Sequence, residues 1–436
     1  MFGIYATNPD ESLCASIAWT LWTEGRLATD LLAGALPGIE QYVYWTPPFY
    51  YLVLALWQGL WGPGLLAMRC LSLVLGLGLV VTLWQVRRKR VPAAWTASVI
   101  VLFDPMFQRV MSMGRMDMLA IALTTAALAT IESGRDQRRC LLAGLLATAA
   151  FLTHPLGAAA LVSVGLICLL GGRQLLLPFL VGSAPLFLGW AAYISIDVDL
   201  FLAQMQLQFA VKAGRALSPL GNLQRMAEFY GSHASLGVVA WIGGMAGLVL
   251  GRRHLLPWLI GAACLPPVII FAGELVYPAY LAPFTAVGLC ELLKHTVWGR
   301  RAVGVMLAVA AITLASDRVP LAGISPDYQR FCDYISAHID PGSTVLLAIL
   351  PDPWFGLRQR PDLELRLAPP VSLARAELQA YVARSTDVIW GGYNVPRFEN
   401  IVARWDEFSK PGQQLWLYQG VLVNYDDVRE KVRIRE

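Results

Sequence analysis

The chain has 436 residues, of which 56% are hydrophobic and only 15% charged, with a formal net charge of +4 and a mean hydropathy of +0.54. Soluble domains carry about 25% charged and about 45–50% apolar residues, so this composition indicates a membrane protein with many spans and excludes a disordered chain, a collagen-like fibre or a small disulfide scaffold. The positive charge is mild and no basic run resembles a nucleic-acid arm. Seven cysteines (Cys14, Cys70, Cys140, Cys168, Cys264, Cys290 and Cys332) are scattered singly, most in apolar runs, and no pair has metal-ligand spacing. They read as small hydrophobes in helices.

The apolar excess is uneven. Residues 1–316 hold 20 Lys+Arg and 14 Asp+Glu, whereas the much shorter stretch 317–436 holds 14 and 16. A boundary near Asp317 therefore divides a membrane part, 1–316, from a C-terminal domain, 317–436, of ordinary soluble composition. Apolar runs in the membrane part predict spans at about 64–86, 94–108, 114–131, 140–153, 156–171, 174–195, 235–250, 255–272, 278–294 and 302–316. With alternate connections inside, all the cations at Arg87–Arg90, Arg135, Arg138, Arg139, Arg173, Arg252, Arg253, Lys294, Arg300 and Arg301 fall on the cytoplasmic face. The stretch 47–61, with two prolines, five aromatics and no charge, is expected to lie at the interface. Counting it as a span would move Arg87–Arg90 outside. Both termini are then extracytoplasmic. An outside N terminus without a signal peptide is unusual, and MFGIYATNPDES reads as the tail of a missing first helix. An upstream start and a genuine lack of that span are the two readings, the former expected. In the C-terminal domain, helical patterns at 327–339 and 373–383 alternate with strand-like Thr344–Leu350, Asp387–Trp390 and Leu415–Leu422, which predicts a small α/β fold. Phosphate-loop, metal and nucleophile-elbow motifs are absent.

The candidate chemistry gathers on the outer side. Asp10-Glu11 precedes an amphipathic stretch; such carboxylates cap a helix through its dipole or serve as a general base toward a hydroxyl attacking an anomeric carbon. Arg115 and Asp117 open the span 114–131, either as a structural pair or as a phosphate contact beside an acceptor- or metal-orienting carboxylate. His154, before Pro155, is a satisfied hydrogen-bonding residue or a phosphate donor. Glu274 to Pro283 contains Tyr277 and Tyr280, which read as an interfacial belt or, for Tyr280, as the lining of a lipid-phosphate pocket. Arg69, and Lys212, Arg215 and Arg225 in the loop 197–233, add outer cations. Carboxylates, cations and proline-broken helices on one face meet the needs of an enzyme using a lipid-linked phosphosugar, in which cations neutralise the leaving phosphate.

Asp10-Glu11, Tyr44-Trp45-Thr46-Pro47-Pro48-Phe49-Tyr50-Tyr51 and Leu65-Leu66-Ala67-Met68-Arg69 together resemble the first outer loop of GT-C glycosyltransferases, closest to the protein mannosyltransferase (family 39) and bacterial aminoarabinose transferase types. The order of spans, Arg115-Met116-Asp117, Leu152-Thr153-His154-Pro155 and the tyrosine-proline segment follow that pattern over most of residues 8–295. The resemblance implies a polyprenyl-phosphate monosaccharide donor, inversion at the anomeric carbon, a base at Asp10, a juxtamembrane helix at 47–61 and an extracytoplasmic C-terminal domain. The chain departs from the pattern in lacking the first span and in placing His154 where relatives often carry lysine, which makes that contact pH-dependent.

The expectation is an all-α polytopic membrane domain of GT-C type, with about ten spans and juxtamembrane helices, followed by a small extracytoplasmic α/β domain. Its activity would be transfer of a monosaccharide from a polyprenyl phosphate to a lipid, glycan or protein hydroxyl at the outer face of an inner membrane. Asp10 is the base, Glu11 its support or substitute, Arg115 and His154 the phosphate contacts, and Asp117, Tyr280 and Arg69 further substrate-binding groups. No cofactor is indicated, a divalent metal stays open, and the sugar and oligomeric state are unspecified. The rival readings are a lipid-linked sugar transporter, which predicts charges along the membrane depth, and a scaffold subunit with an inert site.

Overall fold

The computed structural model describes residues 8–88, 95–216, 218–230, 232–274, 276–294, 326–350, 352–369, 375–391, 405–418 and 422–424. The chain folds as a helical bundle joined to a small sheet. Helix α1 (Pro9–Glu24) starts with a complete capping box: the Asn8 side chain accepts from the Asp10 amide while Glu11 accepts from the Asn8 amide, and Gly25 ends the helix at φ 71°. Helix α2 (Phe49–Trp61) forms where an interfacial helix is predicted. Its Leu52, Leu56 and Leu60 make an exposed apolar stripe, whereas Tyr50, Tyr51 and Leu54 pack inward.

Helices α3 (Leu65–Arg87), α6 (Met116–Ser133), α9 (Arg173–Ile194) and α13 (Arg252–Ala272) are long and apolar enough to cross a membrane. Helices α7 (Gln137–Thr153), α8 (Ala158–Leu170), α12 (Ser232–Leu250) and α14 (Ala282–Lys294) follow the other expected spans. Two expectations change. The run 94–108 is broken into α4 (Trp95–Phe103) and α5 (Pro105–Ser112), because Asp104 caps the Phe107 amide at 2.7 Å and Pro105 starts a new helix. The stretch 197–233, taken as a loop, instead contains helices α10 (Val198–Ala216) and α11 (Pro219–Tyr230). The side chains of Lys212, Arg215 and Arg225, the span 302–316 and the boundary near Asp317 lie outside the described residues.

Small residues let the bundle close. A Cβ on Gly182 of α9 would stand 2.0 Å from the Leu141 carbonyl of α7, and one on Gly288 of α14 would stand 1.9 Å from the Gly244 carbonyl of α12. Such close backbone approach is how helices pack where burial of apolar surface from water gives no drive.

The bundle also holds charge. Arg87, expected among loop cations, is fully buried at the end of α3, where its guanidinium meets Glu132 of α6 at 2.6 Å and Glu291 of α14 at 3.0 Å. Trp258 Nε1 donates to Glu132 at 2.8 Å, and His254 Nε2 lies 3.4 Å from Glu291. Buried ion pairs therefore stand at both ends of the bundle.

The C-terminal sheet has the order β2-β1-β3-β4-β5, with β1 (Thr344–Ile349), β2 (Glu364–Leu367), β3 (Asp387–Gly391) and β4 (Gln414–Tyr418) parallel and β5 (Leu422–Asn424) antiparallel to β4. Two details differ from expectation: β2 had no recognised pattern, and the stretch Leu415–Leu422 takes in parts of two strands, β4 and β5. One face of β1 (Val345, Leu347 and Ile349) joins the Pro326–His338 helix, α1, α2 and the start of α3 in one apolar cluster. The Leu367 amide donates to the Leu31 carbonyl at 2.7 Å across the same contact.

Candidate active site

The site is built on the first turn of α1, where three consecutive side chains leave about 100° apart and meet three different parts of the chain. Asp10 pairs with Arg115, the residue preceding α6. Glu11 points inward to Arg69 of α3 in a two-pronged pair, with Nε at 2.9 Å and Nη2 at 2.8 Å, and also accepts from the Gly114 amide at 2.7 Å. Ser12 donates to Asp352 of the C-terminal region at 2.7 Å. Glu11 and Arg69 are wholly buried; the Asp10 side chain is 51% exposed and that of Arg115 16%.

Arg115 is shared. Its Nε donates to Asp117 at 3.0 Å while its Nη1 reaches Asp10. Asp117, in the first turn of α6, is fully buried and accepts a longer hydrogen bond from Tyr280 at 3.3 Å. The Tyr280 ring lies 5.5 Å from that of His154. His154 ends α7, where Pro155 stops the helix, and its Nδ1 accepts from the Leu156 amide at 3.2 Å. That bond orients the ring so that Nε2 meets the Tyr277 hydroxyl, also at 3.2 Å.

All seven residues named from the sequence thus belong to one contiguous set: Asp10, Arg115, Asp117, Tyr280 and His154 in a chain, with Glu11 and Arg69 behind it. Asp10 is its exposed end. Tyr277 was quoted with its segment but not selected. The 3₁₀ turn Tyr277–Leu281 supplies the missing signal, since residues three apart eclipse in that geometry and place Tyr277 and Tyr280 on one side. Tyr50 and Tyr51 lie buried against α1, and the Tyr51 hydroxyl pairs with that of Thr46.

In chemical terms, the arrangement offers a carboxylate open to solvent, a guanidinium beside it that is held by a second, buried carboxylate, and a histidine-tyrosine wall. The cation between Asp10 and Asp117 is the Arg115 guanidinium itself, so these two carboxylates do not converge on an open position. Among the described residues no group of three His, Cys, Asp or Glu is placed to hold a metal ion.

No family model matches the sequence, and no curated protein matches it either. The fold does have counterparts. An apo aminoarabinose transferase, ArnT from Cupriavidus metallidurans, superposes with a TM-score of 0.56 over 98% of this chain and 91% of its own length, at 14% identity. The same protein bound to undecaprenyl phosphate gives a TM-score of 0.55 over 98% and 92%, at 16% identity. The chain therefore shares the fold of ArnT, the aminoarabinose-transferase type of fold that its outer-loop motifs led us to expect.

Proposed function

We propose that this protein is an integral-membrane glycosyltransferase that moves one monosaccharide from a polyprenyl phosphate to a hydroxyl acceptor on the extracytoplasmic side of the membrane. The observation that carries the reading is the exposed Asp10 carboxylate lying directly against Arg115, at the end of a bundle where His154 and Tyr280 converge. The shared fold with a transferase solved in complex with undecaprenyl phosphate supports the donor class.

In this reading the donor phosphate enters beside Arg115 and His154. Arg115 exchanges its bond to Asp10 for the phosphate oxygens, while Asp117 keeps the guanidinium oriented. The freed Asp10 accepts the proton of the acceptor hydroxyl, whose oxygen forms a bond to the anomeric carbon as the bond from that carbon to the phosphate oxygen breaks. The products are the glycosylated acceptor, polyprenyl monophosphate and protonated Asp10. Attack opposite the leaving phosphate inverts the anomeric centre. Charge developing on the phosphate is met by the Arg115 guanidinium, electrostatic stabilisation being usually the largest contribution in such transfers. Glu11 supports this turn instead of replacing the base, because its carboxylate is committed to Arg69 and the Gly114 amide.

The test is release of polyprenyl monophosphate by the purified, liposome-embedded protein against a panel of polyprenyl-phosphate monosaccharides, with Asp10→Asn beside it. Release from a particular donor, lost in Asp10→Asn while the protein stays folded, is the expected result. An Asn variant with wild-type turnover removes Asp10 from the base role, and silence across the panel from folded protein favours the scaffold reading.

A further inference from the structure

Among the described residues, Asp352 is the one acidic residue of the C-terminal region seen to bond to the turn carrying Asp10. It lies 340 positions from Ser12 in sequence and is wholly buried. Its Oδ2 accepts from the Ser12 hydroxyl at 2.7 Å, its Oδ1 from the Trp354 amide at 2.9 Å, and its own carbonyl accepts from the Tyr328 hydroxyl. The Asx turn made with Trp354 fixes the carboxylate on the C-terminal side. Tyr328 fixes the backbone behind it. The remaining oxygen is aimed at Ser12, two residues along α1 from Asp10.

We infer that Asp352 is a positioning residue, through which the C-terminal region sets the rotation of the first turn of α1 and hence the place of the Asp10 carboxylate. The inference rests on the proposed role of Asp10. Glu11, held by Arg69 and the Gly114 amide, ties this turn to the bundle, and Ser12–Asp352 ties it, about 100° further round the helix, to the C-terminal region. A shift of about 1 Å in a catalytic group costs on the order of a hundredfold in rate, so a hydrogen bond that touches no substrate can still govern turnover.

The experiment compares Ser12→Ala, Ser12→Thr and Asp352→Asn in the full chain in liposomes. For Ser12→Ala the expected result is a fall of about ten- to a hundredfold in kcat with donor KM unchanged, recovered in Ser12→Thr, which keeps the hydroxyl, and partly in Asp352→Asn. Hydrogen exchange should speed up in residues 9–14 of Ser12→Ala and stay unchanged around Arg69. Wild-type kcat in Ser12→Ala overturns the inference, as does a loss accounted for by unfolded protein. If wild type itself cleaves none of the donors, the activity reading has failed, and exchange then decides alone: unchanged protection of 9–14 in Ser12→Ala overturns the positioning role.

Discussion

The two ends of the bundle hold the same kind of chemistry and give it different access. At one end Asp10, Glu11 and Asp117 meet Arg69 and Arg115; at the other Glu132 and Glu291 meet Arg87. Helix α6 contributes to both, with Asp117 and Glu132 about 22 Å apart along its axis. The Arg87 cluster is closed: its guanidinium is fully buried, and Trp258 covers Glu132 with a hydrogen bond. The Asp10 end is layered, with a closed pair, Glu11–Arg69, behind an open one, Asp10–Arg115. A buried ion pair locks helices together but cannot meet a substrate. Chemistry needs the member left at the surface.

That contrast can be broken by mutation. The largest effect expected is that of Asp10→Asn, a loss of about 10²–10⁴ in turnover, the usual worth of a general base, with the thermal midpoint unchanged. Glu11→Ala should damage both stability and turnover, because it leaves Arg69 buried without its carboxylate, a change that costs on the order of 3–5 kcal/mol. Arg87→Met at the other end should cost a similar 3–5 kcal/mol, since Glu132 and Glu291 then lose the guanidinium they share, yet the molecules that stay folded should turn over at the wild-type rate. Thermal unfolding in detergent, read beside turnover per folded molecule, separates the three. A large fall in turnover per folded molecule for Arg87→Met would mean the two ends are coupled.

Smaller effects sharpen the picture. Tyr280→Phe removes only the long hydrogen bond to Asp117, worth about 0.5–1.5 kcal/mol, so turnover should fall no more than about tenfold and folding should be unaffected. At the contact with the C-terminal region, burial pushes the Asp352 carboxyl up to about 6 from its ordinary 3.8. A raised carboxyl binds its proton more tightly in the folded state, so folding gains stability as pH falls through 6 toward 3.8 and lacks that gain above 6. Asp352→Asn cannot titrate. The difference in thermal midpoint, variant minus wild type, should therefore decrease between pH 7 and pH 5, and a constant difference would show that Asp352 does not titrate in that range.

Much of the candidate site was readable because its residues sit at helix starts and proline breaks. Asp10 and Asp117 lie in first turns, Arg115 immediately precedes α6, and His154 lies just before Pro155. Alternating the direction of successive spans brings all of these to one end. What the pattern could not express was pairing. Glu11 was expected as a support or substitute for Asp10, and the pattern did not choose between these roles, since adjacent residues on a helix differ only by a rotation. Arg87 looked like its neighbours Arg88, Lys89 and Arg90, because hydropathy ends a span at the first cation and does not ask whether that cation has a buried partner. The break at Asp104-Pro105 was local and legible in principle, but an apolar average over the window hid it.

Composition and the order of apolar runs, charges and prolines were enough to expect an apolar helical bundle, a C-terminal region of different composition and the set of residues collected at one end, because each of these depends on residues near one another in the chain. Tertiary structure alone decided which acid is exposed and which is locked, that Arg87 is sealed between Glu132 and Glu291, and that Asp352 reaches Ser12. These are contacts between residues 45 to 340 positions apart. Their strength comes from burial and hydrogen-bond geometry, which exist only once the helices and the sheet have packed.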